Sequence, residues 1–102
     1  MNGMKQLRYG DRTWLVGDSV AGVMMDFAVA LAKIDAAEHV RFKAIDQSGD
    51  VVEIEVLLGP ATMMVAEPVH VTAEEPDNGD VEQAMKERIE MISAVGADSG
   101  VG

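Results

Sequence analysis

Between Lys5 and Val16 apolar and polar side chains alternate, and the alternation folds back on itself around Gly10-Asp11. A period of two marks a strand with one buried face, and a two-residue loop led by glycine fits a type II′ hairpin turn. That register sets Leu7 opposite Trp14, Lys5 opposite Val16 and Tyr9 opposite Arg12 on one side of the sheet. Leu7, Trp14 and Val16 are predicted to point inward, and Gln6, Arg8, Thr13 and Leu15 the other way.

From Ser19 the period lengthens to that of a helix, predicted over Ser19–Ile34 with Asp18 as its N-cap after Gly17. Val20, Val23, Met24, Phe27, Leu31 and Ile34 fall in one arc suited to covering a sheet. The other side carries a second, smaller apolar strip of Ala21, Met25, Ala28 and Ala32, edged by Val29 and Gly22. Ser19, Asp26 and Lys33 keep only a thin polar line between the two. A helix that is apolar on two sides needs a neighbour on each. The C-terminal helix or a second subunit is therefore expected over Met25 and Val29.

His39 to Leu58 forms a second hairpin around the polar loop Asp46-Gln47-Ser48-Gly49-Asp50. Closing it sets Val40 against Val56, Phe42 against Ile54 and Ala44 against Val52 on the buried face. The same register sets Arg41 against Glu55 and Lys43 against Glu53 outside, and a slip of one residue would turn the apolar set outward. After the turn at Gly59-Pro60-Ala61, Thr62 to Ala66 is predicted to return as a strand. Pro68 lacks an amide hydrogen and confines any strand it joins to an edge.

Thr72 to Asp80 has the composition of a linker. Asp80 with Gln83 then resembles a capping box opening an amphipathic helix. Val81, Ala84, Met85, Ile89, Ile92 and Val95 share one face of it, and Glu82, Lys86 and Glu90 form an i,i+4 ladder on the other. Gly96 closes this helix. The chain thus divides into an α+β core over 1–72, an acidic linker over 73–80, a C-terminal amphipathic helix over 81–96 and a flexible tail over 97–102. The predicted fold class is α+β: a small, mostly antiparallel sheet made of a β-hairpin, a central helix and a second hairpin plus edge strand, with the C-terminal helix added.

Composition narrows this further. At 102 residues there is room for one domain and a real core. Cysteine is absent, which removes disulfides, thiolate metal sites and a Cys nucleophile together. Met1 to Lys5 carry no apolar signal core, and the apolar run Val20–Ala32, broken by Asp26, is too short to span a bilayer. A cytoplasmic protein is expected on these grounds. The net charge of −10 is unevenly spread: residues 44–85 hold no Lys or Arg and ten Asp or Glu. Such a field repels phosphate backbones and anionic lipid, so neither nucleic acid nor membrane is an expected partner.

Motifs of catalysis and cofactor binding do not emerge. Gly17 and Gly22 stand at phosphate-loop spacing, but Val23-Met24 follow where Lys-Ser/Thr is required. Asp18 would also oppose an anion there. His39 and His70 are distant and each sits in an alternating run, which reads as surface or edge-strand histidine. Asp46/Asp50 and Asp77/Asp80 lack the ligand ladder and closing Glu of a calcium loop. Ser19, Ser48, Ser93 and Ser99 lie in no nucleophile elbow. In the pairs Met24-Met25 and Met63-Met64, one side chain is expected in the core and its neighbour outside.

No enzyme, cofactor or metal is therefore expected. The leading reading is a non-enzymatic protein-interaction module that binds a protein partner or a second copy of itself, with Ala21, Met25, Ala28, Val29, Ala32, Met85, Ile89 and Ile92 as candidate interface residues. A second reading is an acidic inhibitor or nucleic-acid mimic that occupies a basic partner through residues 44–85. A third is a small-ligand domain with a pocket between sheet and helix, lined by Trp14.

Overall fold

The computed structural model describes residues 3–61, 63–71 and 73–101, the last seven of them by their backbone only. The elements follow in the order β1 (Met4–Tyr9), β2 (Arg12–Gly17), α1 (Asp18–Lys33), β3 (Glu38–Ile45), β4 (Val51–Leu58), β5 (Met64–Val69) and α2 (Gly79–Val101). The five strands make one sheet in the order β4-β3-β2-β1-β5, antiparallel throughout, and the fold is α+β.

Both hairpins take the registers that alternation dictates. Leu7 pairs with Trp14, Lys5 with Val16 and Tyr9 with Arg12 in the first. Gly10 has φ 62° while Asp11 has no positive φ, the type II′ pattern that glycine permits at little cost. In the second hairpin Val40 pairs with Val56, Phe42 with Ile54 and Ala44 with Val52. Asp46 organises its loop: Oδ1 accepts from the amides of Ser48 at 2.9 Å and Asp50 at 3.0 Å, and Gly49 turns the chain at φ 87°.

β5 begins later than Thr62–Ala66 predicts, running Met64–Val69, and Thr62 lies outside the described residues. It pairs with β1, not with its chain neighbour β4, and so becomes the outer strand beside the first hairpin. That edge position is the one Pro68 tolerates. Residues 59–63 thus join the two outer strands of the sheet, which in a flat sheet would stand about 19 Å apart. The Tyr9 hydroxyl donates to the Leu57 carbonyl and the Gly10 amide to Met63 O at 3.4 Å. The sheet is therefore curled, with its rims drawn together, and α1 packs against β1, β2, β4 and β5 inside the curl.

α1 starts one residue before the predicted span, and its cap differs from expectation. Gly17 holds the N-cap position without a side-chain cap, while Asp18 is the first helical residue. The Asp18 carboxylate instead meets Lys5 Nζ at 3.1 Å, and its amide donates to Gly3 O at 3.0 Å. An acid in the first turn still complements the helix dipole from that position. Val20, Ala21, Met24, Phe27, Ala30 and Leu31 are buried, whereas Ile34, predicted in the core arc, is exposed.

α2 begins at Gly79, two residues before the predicted start, and its backbone continues through Gly96 to Val101. The Asn78 carbonyl accepts from the Glu82 amide at 2.9 Å and Asp77 Oδ1 accepts from the Gly79 amide at 3.0 Å. The Asp80–Gln83 capping box is thus displaced into the first turn. Met85 and Ile92 are buried in the common core and Val81 and Ile89 pack partly against it; Ala84 is exposed, and the side chain of Val95 lies outside the described residues. Arg88 reaches Glu38 at the start of β3 and ties the helix down.

β2 and β3 share one registered pair, Leu15 with Ile45, and diverge on either side of it. Continuing that register would place Gly17 against Lys43, but Asn78 stands there instead. Its Oδ1 accepts from the Lys43 amide at 2.7 Å and its Nδ2 donates to the Lys43 carbonyl at 2.8 Å, the two bonds a neighbouring strand would supply. Pro76 is buried beside it, and a Cβ on Gly17 would clash with a Glu75 carboxylate oxygen. Residues 73–80, linker-like in composition, are therefore a built part of the fold; Thr72 and Gly102 lie outside the described residues.

Candidate functional site

Among the described residues, two places on the surface stand out for apolar side chains that no neighbouring element covers. The first is α1. With 100° per residue, its buried residues fill the arc facing the sheet, and Ala30 with half-buried Val23 extends it past Phe27. α2 packs on that Phe27 flank, since Phe27, Val81, Ala84 and Met85 border one cleft. The expectation that α2 covers the second apolar strip is therefore corrected. Met25 is 37% and Val29 56% exposed, and Gly22 and Ala32 face outward beside them.

The eight candidate interface residues separate accordingly. Ala21, Met85 and Ile92 are buried within the chain, and Ala28 and Ile89 are half-buried. Met25, Val29 and Ala32 remain accessible, joined by Gly22. Positions 22, 25, 29 and 32 are spaced three, four and three apart, the seam along which one helix meets another. Asp26 and Lys33 border this seam on one flank. Of the adjacent methionines, Met24 is fully buried and Met25 turns out; Met64 is half-buried and Met63 exposed.

The second place is the far side of the Leu15–Ile45 pair. Beyond it the start of β2 and the Asp46–Asp50 loop separate, and a cleft of about 650 Å³ opens on the sheet face away from the helices. Leu15, Ile45, Val51 and the edge of Trp14 form its apolar wall, while Asp46 and Glu74 stand at its margin. Trp14 packs edge-on against Phe42 with ring centroids 6.4 Å apart, and the Arg12 guanidinium lies 5.6 Å from the indole centroid. Trp14 thus borders a cleft, but one whose neighbouring wall residues Gln6, Thr13 and Leu15 lie on the opposite face of the sheet from the predicted sheet–helix pocket.

The acidic stretch is not one uniform surface. Glu55 is held by Arg41 at 2.9 Å and by His39 Nε2 at 2.8 Å. The hydrogen bond from Arg41, then that from His39, holds the Glu55 carboxyl below its ordinary range, and Glu55 in turn raises Arg41. Glu53 takes Arg41 as its ion-pair partner at 3.6 Å rather than the predicted Lys43. Glu74, Glu75, Asp77 and Glu82 gather instead around a recess of about 480 Å³ beside Gly17 and Val20. Glu82 Oε1 is buried there with no hydrogen-bond partner among the described residues. Among the described residues no three His, Asp or Glu side chains converge as a metal ion requires, and no helix is long and apolar enough to cross a membrane.

Helical periodicity singled out Met25, Val29 and Ala32, which are exposed, but no sequence signal pointed to the cleft. A cleft made by two strands parting company depends on sheet order, for which no local pattern exists. Comparison with protein-family models, with curated proteins and with solved structures finds no match to this chain.

Proposed function

We propose that this domain is a non-enzymatic interaction module that pairs with a second copy of itself along α1. The observation that carries this reading is the exposed 3-4-3 seam of Gly22, Met25, Val29 and Ala32 on a helix whose other apolar side chains are buried or half-buried. Gly22 and Ala32 are small enough to let another helix backbone approach, and Met25 adapts its shape to whatever it meets. In an antiparallel pair like flanks face each other, so Lys33 of each copy comes within reach of Asp26 of the other. That charge pattern favours the antiparallel arrangement over a parallel one, where the Asp26 and Lys33 flank would face the partner's Ala28 flank and form no such ion pairs. The seam is small, and the pair is correspondingly weak and concentration-dependent.

Light scattering and sedimentation across a wide concentration range test this. Val29→Glu, at an exposed site, should leave the melting curve within about 0.5 kcal/mol of the parent and abolish dimers. Lys33→Asp should weaken the dimer, and adding Asp26→Lys to it should restore association. A parent chain that stays monomeric at all concentrations, or a Val29→Glu variant that associates as the parent does, rejects the reading.

A further inference from the structure

We propose that the cleft beyond the Leu15–Ile45 pair is a binding site for a small organic cation, an ammonium group carried on a flat apolar body. This is independent of pairing through α1, which uses the opposite layer of the molecule. The cleft exists because β2 and β3 separate on both sides of their one registered pair. The chain closes the gap on one side with Asn78, which bonds both main-chain groups of Lys43. On the other side nothing in the described chain fills the space between Thr13 and Gln47, which the same register would have paired. At about 650 Å³ the cleft lies within the range of small-molecule sites.

Its chemistry selects the ligand. Leu15, Ile45 and Val51 give an apolar wall, and Val51 is exposed as strand β4 leaves the loop. The charged residues lining the cleft are Asp46 and Glu74, both acids. Asp46 is held in place, because its Oδ1 accepts the amides of Ser48 and Asp50, while its Oδ2 carries no hydrogen bond among the described residues. A carboxylate fixed by its own loop needs no reordering when a donor arrives. Glu74 approaches from the opposite margin on the segment that Asn78 anchors. Gln6 and Gln47 add neutral amides that accept or donate.

The opposing charge is Arg12, in the adjoining recess with Asp11. Its guanidinium already takes one face of the indole, so Trp14 contributes apolar wall and the carboxylates seat the ammonium. An anionic ligand would meet these two carboxylates within a molecule of net charge −10.

Three probes sharing one phenylethyl body decide the matter: 2-phenylethylammonium, its isostere 2-phenylethanol, and the anion 3-phenylpropionate, titrated at low ionic strength. Trp14 is the single tryptophan and borders the cleft, so its fluorescence is one reporter, and amide chemical shifts map the contact. The ammonium should bind saturably with shifts at Thr13, Gln47 and Glu74. The alcohol should bind about 5-fold or more weakly, and the carboxylate least. Glu74→Gln, at an exposed site, should cost the ammonium about 2- to 5-fold and leave the alcohol unchanged. Equal affinity of alcohol and ammonium would overturn the charge selection. Saturable shifts confined to another surface would overturn the location, and no saturable change with any probe would overturn the site itself.

Discussion

Asn78 is where the architecture is most open to a decisive test. It is 8% exposed, and its amide makes both hydrogen bonds that Lys43 would otherwise have made to β2. Replacing it by alanine removes both partners and leaves a part-buried N–H and C=O without a protein acceptor or donor. Each such group costs about 1–3 kcal/mol, and partial hydration of the opened site brings the pair to about 2–4 kcal/mol. Against the ~5–15 kcal/mol stability of a domain this size, that is a large fraction. The melting temperature should fall by roughly 10–25 °C. The α2 cap bond from Glu82 uses the Asn78 main chain and survives the change.

Asn78→Asp sharpens the test, because the shape is kept and only the donor is lost. The carboxylate still accepts from the Lys43 amide but sets an oxygen against the Lys43 carbonyl, and only its protonated form can donate there. The introduced carboxyl is therefore raised in the folded state above its unfolded value near 4. The folded chain then binds more protons than the unfolded one between those two values, so stability falls as pH rises through them. The penalty relative to the parent should be full at pH 7 and shrink as pH drops toward about 4. Urea denaturation followed by Trp14 fluorescence and far-ultraviolet circular dichroism measures both variants. A cost below about 0.5 kcal/mol for Asn78→Ala, or a pH-independent penalty for Asn78→Asp, would refute the role of this side chain as a substitute strand.

Two further outcomes follow from packing and charge. Met85→Ala, at a residue 2% exposed between α2 and the core, should cost about 2–5 kcal/mol, whereas Met91→Ala on the exposed side of α2 should change stability by less than about 0.5 kcal/mol; equal melting shifts would mean that α2 is not docked through this face. The Glu55 carboxyl should titrate below the ordinary glutamate range by carbon-detected NMR and return toward it in Arg41→Gln. Because its folded value is the lowered one, this interaction is present above the unfolded value and is lost as pH falls through the folded one; an unchanged midpoint in Arg41→Gln contradicts the assigned cause.

What the sequence reveals of this fold is what local geometry decides. Gly10 and the alternation around it set the first hairpin, and three apolar and two charged cross-strand pairs set the second without reference to any other element. Pro68 correctly announces an edge. Strand order is different in kind: that β5 crosses to β1 rather than staying beside β4 depends on how far the sheet curls. α1 shows the same boundary between local and global. Its periodicity reveals that apolar residues exceed what one sheet can cover, yet not that α2 would take the Phe27 side and leave Met25 and Val29 in solvent. The Asp18 cap failed because Lys5, thirteen positions away, offers the carboxylate a cation.

Residues 73–80 carry the deepest of these lessons. Acidic and rich in turn formers, they match every compositional criterion for a linker, and composition weighs side chains without knowing which main-chain groups elsewhere want partners. Lys43, 35 positions earlier, has an amide and a carbonyl turned toward a strand that has swung away. Unpaired groups of that kind are too costly to leave in a part-buried site, so some segment must satisfy them. An asparagine is the smallest side chain that presents an acceptor and a donor side by side as a peptide unit does. The same divergence of β2 from β3 therefore has two outcomes. On one side a side chain completes the ladder from within, and Ala73 and Glu74, carried on that segment, become one wall of the cleft on the other. The firmness of that wall rests on the two bonds at Lys43, so the stability of the domain and the shape of its open cleft are set by the same side chain.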